Sequence, residues 1–105
     1  MPVRVGKQLE DEWPFDQPKN CAVFTLKSIV RESSPILHVV HYEDDDGWGF
    51  YDGEDVKMKD AMIVSLLSMV NRDASLLDVA DLPSGWCAWR ERPGAVWQRS
   101  LHDDQ

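Results

Sequence analysis

Basic clusters, paired cysteine motifs and long apolar runs are all missing from this chain of 105 residues, and each gap closes off a class of function. Lys and Arg number 11 against 19 Asp and Glu, a formal net charge of -8. Nucleic acid is a polyanion whose binding needs a clustered basic surface, so direct binding to DNA or RNA is not expected. Cys21 and Cys87 lie far apart and form no CxxC pair, which leaves neither a disulfide framework nor a zinc signature. They read as buried free thiols in a reducing compartment. The longest nearly apolar run, AMIVSLLSMV at 61–70, would rise only about 15 Å as a helix, half of what a bilayer requires. The opening MPVRVGKQLEDEWPF has no apolar core of a secretory signal. The expectation is a cytoplasmic protein without a membrane span.

Catalytic signatures are missing too. There is no G-x-S-x-G, H-E-x-x-H, P-loop or G-x-G-x-x-G. An EF-hand register fails at both candidate glycines: Gly47 at the sixth position puts Tyr42 at the first, and Gly53 puts Trp48 there. No cofactor and no metal is therefore expected.

What is present fits one domain with an aromatic-rich core: the chain is 43% hydrophobic and carries 5 Trp. Residues 1–20, with Pro14, Pro18 and a local acidic run, read as an irregular arm that Trp13 and Phe15 pin to the body. Residues 21–100 read as the domain and 101–105 as a frayed tail. CAVFT (21–25) reads as a buried strand, and LKSIVRE as a helical turn capped by Thr25. ILHVVHYE (36–43) and WGFYD (48–52) are rich in β-branched and aromatic residues and read as strands joined through DDDG, where Asp46-Gly47 is a hairpin signal. Residues 57–71 put Met58, Met62, Ile63, Leu66, Leu67, Met69 and Val70 on one arc at helical spacing, which predicts a long helix. A short helix capped by Ser75 follows, running to about Leu82. WCAWRE (86–91) and AVWQRS (95–100) read as a second hairpin around RPG. The sum is an α+β fold: an antiparallel or mixed sheet of about five strands from two hairpins, with one long helix and one or two short ones on one face.

The candidate site centres on the first hairpin. Residues 43–60 carry Glu43, Asp44, Asp45, Asp46, Asp52, Glu54, Asp55 and Asp60 against Lys57 and Lys59. Acids near a helix N-terminus have a structural reason, but Asp44 and Asp45 do not, so they are the expected steering surface. His38 and His41 have odd spacing, which on a strand places them on opposite faces and prevents joint chelation. His41 is placed to pair with an aspartate of the turn. Cys87 and Arg90 likewise point apart, so no cation activates the thiol. Trp48 and Phe50 share a face, and most of the rings read as core. Should one sheet face lack helices, some of Tyr51, Trp89 and Trp97 would stay exposed and mark an interface.

Three segments, CAVFTLKSIVRESSPILHVVHYEDDDGWGF, DASLLDVADLPSGWCAWRE and PGAVWQR, together resemble small bacterial cytoplasmic proteins of the immunity-protein type. The likeness spans roughly residues 20–99 and rests on the acidic turn Asp44 to Asp46, the hairpin aromatics Trp48 and Phe50, and the late turn Leu82 to Trp86. The resemblance implies a non-enzymatic protein that neutralises a basic toxin or other cationic partner by covering its active site or groove. The binding residues expected are His41, Glu43, Asp44, Asp45, Asp46, Tyr51 and Trp89. Two other readings stay open: a small enzyme using His41 with the 44–46 aspartates in acid/base or metal chemistry, and a homodimeric accessory protein joined through a bare sheet face.

Overall fold

Short runs of β-branched and aromatic residues pair into one twisted layer. The structure is a computed structural model and describes residues 13–54 and 58–102. The first part of the expected arm, Asp55, Lys57 and the last three tail residues lie outside the described residues. The strands are β1 (Ala22–Leu26), β2 (His38–His41), β3 (Trp48–Tyr51), β4 (Ala61–Ser65), β5 (Trp86–Trp89) and β6 (Gln98–Leu101). They form one sheet in the order β4-β1-β3-β2-β5-β6. Each neighbouring pair is antiparallel except β1 and β3, which run parallel with Phe24 opposite Gly49. Helices α1 (Lys27–Glu32) and α2 (Leu66–Arg72) and 3₁₀ turns at Met58–Asp60 and Ala74–Val79 complete the fold. The class is α+β with a mixed sheet, as expected, but the sheet has six strands.

The sixth strand comes from the segment expected to be the long helix. Residues 61–65 are β4, paired along its length with β1 from Ala22↔Ser65 to Leu26↔Ala61, and the helix begins only at Leu66. The β-branched pair Ile63 and Val64 suits a strand, and β4 supplies the ladder partners that one edge of β1 would otherwise lack. Ser65 ends the strand and caps α2: its Oγ accepts from the Ser68 backbone N–H at 3.1 Å. The 100° arc is thus an accident of two joined elements. Three smaller expectations also fail. Thr25 caps nothing, because the N-cap of α1 is Leu26, with no side-chain cap, and the Thr25 hydroxyl donates to the Phe50 carbonyl at 2.9 Å. Asp73, not Ser75, caps the 74–79 turn. The last strand is 98–101, so it starts later than AVWQRS suggests and takes in Leu101 of the tail.

Alternation along the strands gives the sheet two unlike faces. Val23, Thr25, Val39, His41, Trp48, Phe50 and Ala88 point toward the helices and close the core with Ile29, Leu66, Met69, Leu76 and Val79. Phe15 joins them from the arm, its ring edge-on to Trp48 at 5.1 Å. The opposite face carries Ile63, Phe24, Gly49, Tyr51, His38 and Trp89 in cross-strand register. Among the described residues no helix lies over it: Phe24 is 45%, Ile63 64% and Trp89 46% exposed.

Gly49 sits where this face needs space. A Cβ there would collide with the Tyr51 ring, which lies across the glycine. Gly49→Ala is expected to push that ring off the sheet and to destabilise the fold by about 1–3 kcal/mol, the usual range for overpacking. Urea melts give the energy, and the aromatic proton spectrum shows whether Tyr51 moves.

Candidate functional site: the acidic turn and the open sheet face

The acidic turn DDDG, residues 44–47, joins β2 to β3. Its ends are closed by the Tyr42 N–H donating to the Gly47 carbonyl at 2.8 Å. The Gly47 N–H in turn donates to Asp45 Oδ1 at 3.0 Å, an Asx turn. The left-handed position is Asp46, at φ 60°, and not the glycine that the Asp-Gly signal pointed to. Asp tolerates that conformation better than most side chains. Gln17 from the arm holds Asp46 in place, its amide donating to the Asp46 carbonyl at 2.9 Å and to Oδ2 at 3.1 Å. The same Gln17 accepts from Trp48 Nε1 at 2.8 Å.

His41 lies beneath the turn, 7% exposed and stacked on Trp48 with ring centroids 4.1 Å apart. Its Nδ1 is 2.6 Å from the Leu82 carbonyl, which only accepts, so that nitrogen carries a proton. Its Nε2 is 2.8 Å from Asp46 Oδ1, the expected pairing, although the approach is off the line of a directed hydrogen bond. Nδ1 is thus committed inside the protein, and Nε2 faces the Asp46 carboxylate without a directed hydrogen bond. His41 and Asp46 tie the turn to the core. Glu43 is exposed and lies against Gly85 of the late turn. Asp44 and Asp45 are exposed. Among the described residues no group of three His, Cys, Asp or Glu side chains could hold a metal ion.

Asp44 and Asp45 stand at the lip of a cleft of about 360 Å³ on the open face, lined by Phe24, Thr25, Tyr42, Tyr51 and Ala61. The Phe24 and Tyr42 rings meet at 89°, with centroids 6.5 Å apart. The Tyr42 and Tyr51 hydroxyls are 2.5 Å apart and share a hydrogen bond. Burial, reinforced by that hydrogen bond, pushes the Tyr51 phenol well above its ordinary pKa. Farther along the same face His38 stands beside Tyr51, their centroids 6.2 Å apart. Burial, with His102 adding a smaller push, holds the His38 imidazole below its ordinary pKa.

The remaining expected positions divide. Trp89 is exposed on the open face, and Tyr51 is buried, contributing its hydroxyl edge to the cleft. Trp97 is half-buried under Arg90, whose guanidinium carbon sits 4.2 Å from its ring centroid. Cys87 is buried and Cys21 half-buried, so the reading of two buried thiols holds for one. Phe24, Tyr42 and Ala61 were not among the expected residues. Gly49 was the available signal for the cleft, since a glycine inside a strand marks a bulge or a close approach.

No family model matches the chain, and no curated protein and no solved structure is significantly similar to it.

Proposed function

We propose that the protein is a non-catalytic binding module that docks a cationic partner protein on its open sheet face, with Asp44 and Asp45 steering the encounter. The observation that supports this is the pairing of an aromatic surface, free of helix cover among the described residues, with two exposed carboxylates at its lip. Apolar surface left in water beside a charged rim is the usual composition of an interface. The net charge of -8 favours a basic partner and speeds its approach. The immunity-type resemblance makes a basic toxin the natural candidate, its active site or groove covered by this face. Asp46 belongs to the architecture of the turn and is left out of the steering pair.

The test is stopped-flow association with purified basic proteins encoded beside its gene. A D44N/D45N variant is expected to associate about tenfold more slowly at low ionic strength, with the difference shrinking as salt rises. Equal rates for the variant and the wild type would remove the steering role. Failure of every such protein to form a complex would overturn the docking reading.

A homodimer through the same face has the exposure of Phe24, Ile63 and Trp89 behind it, but two copies at -8 each repel. A mass that rises with concentration in sedimentation would favour it. The acid/base reading has no comparable support, because neither nitrogen of His41 faces the cleft.

A further inference from the structure

We infer that the cleft between Phe24, Tyr42 and Tyr51 is a receptor for one arginine side chain of the partner protein. The guanidinium would lie against the rings and its outer edge would meet Asp44 and Asp45. The inference rests on the docking reading above and assigns that surface its anchor.

Three features select this guest. Aromatic faces attract cations through their quadrupole within about 6 Å of the ring centroid. Two rings at 89° allow a flat group to stack on one and meet the edge or face of the other. The lip supplies carboxylates, and among the described residues no Lys or Arg lines the cleft to repel a cation. The floor is neutral, since the Tyr51 phenol keeps its proton far into the alkaline range. Its oxygen and that of Tyr42 retain lone pairs able to accept an N–H from a guest.

Arginine suits the site better than lysine. Its guanidinium is planar, stacks on aromatic rings, sheds water more readily than an ammonium and presents a fork of donors that carboxylates match. An ammonium would have to leave a stronger hydration shell to reach the same apolar wall. A volume of about 360 Å³ lies within the range of small-molecule sites, at its lower end. Arginine is also among the residues over-represented as interface anchors.

The experiment titrates the whole chain with Nα-acetyl-arginine amide, Nα-acetyl-lysine amide and Nα-acetyl-norleucine amide and follows the aromatic protons by NMR. The arginine probe is expected to shift the Phe24, Tyr42 and Tyr51 rings saturably, with a Kd of about 10 mM or tighter. Lysine should bind several-fold more weakly, and norleucine should give no saturable shift. Phe24→Ala and Asp44→Asn should each weaken the arginine probe about fivefold or more. Phe24 is 45% exposed and stands outside the core cluster, so its loss leaves the core intact. Should the variant fail to fold, the three-probe comparison on the wild type decides alone. No saturable arginine shift, equal binding of lysine or norleucine, or shifts confined to other rings would overturn the inference. A basic protein that binds the open face while the arginine probe does not would sink the cleft and leave the docking reading standing. Arginine binding with no protein complex would do the reverse.

Discussion

Arg90→Ala is expected to cost the fold about 3 kcal/mol, the low end for breaking a buried ion pair, because Arg90 is buried while Asp73 is partly exposed. The Arg90 side chain is 1% exposed and reaches Asp73 Oδ2 at 2.6 Å. It also donates to the Ile36 carbonyl from Nε at 3.2 Å and from Nη2 at 2.9 Å, and to the Ser75 hydroxyl at 3.0 Å. One side chain thus joins the end of β5, the residues before β2 and the 3₁₀ turn behind the sheet. Its removal leaves Asp73 Oδ2 and the Ile36 carbonyl without the donors that Arg90 supplies, and uncovers the Trp97 ring. For a domain of this size the change corresponds to a fall in Tm of roughly 12 °C or more. Calorimetry of the two proteins at neutral pH checks it, and a shift of only a few degrees would show that Arg90 is not the fastener described.

The same pair has a pH signature. Burial opposes ionisation of Asp73, but hydrogen bonds from Ser75 and Arg90 outweigh it and hold the carboxyl below its ordinary value. A carboxyl lowered in the folded state stabilises fully above its unfolded pKa, and that contribution is lost as pH falls through the folded one. Asp73→Asn should therefore lower stability at neutral pH and flatten the acid limb of a Tm-against-pH curve. An unchanged limb would assign the acid sensitivity to other carboxylates.

Trp48→Ala is expected to cost about 3–5 kcal/mol, by a different route: loss of a large buried ring and the cavity it leaves. Trp48 is 1% exposed. Its neighbours are His41 at 4.1 Å, Phe50 at 6.1 Å and Phe15 at 5.1 Å between centroids. Its indole N–H is the link through Gln17 to the acidic turn. The variant should therefore loosen the turn and residues 13–17 together with the core. Far-UV circular dichroism in urea measures the loss without depending on tryptophan emission, and a Trp48→Phe variant should recover part of it. A Trp48→Ala midpoint equal to the wild type would sink the claim.

The first hairpin was legible because its signals agree: β-branched and aromatic runs, turn residues between them, and period-two alternation. The separation of His38 from His41 followed from that register, and the turn aspartate that His41 was expected to meet is Asp46. Residues 57–71 misled for the opposite reason. Met62, Ile63, Leu66 and Leu67 satisfy a helical arc whether or not the chain is helical, and only tertiary pairing with β1 decides between strand and helix there. Ser65 falls on the polar side of that arc, although it is the cap of α2. The cleft was harder still. Tyr42 follows β2 and Tyr51 ends β3, and Phe24 and Ala61 are brought beside them by the order of the sheet, which local pattern does not encode.

The parallel seam between β1 and β3 has a kinetic consequence. The hairpin of β2 and β3 closes across the short 42–47 turn, whereas Phe24 meets Gly49 only after a longer loop has been drawn shut. Loop closure carries an entropic toll that grows with length, and distant pairings slow folding. The 38–51 ribbon is therefore the natural nucleus, with β1 and then β4 zipping onto its flank afterwards. The surface that carries the cleft is accordingly complete only once β1 and β4 have joined that ribbon.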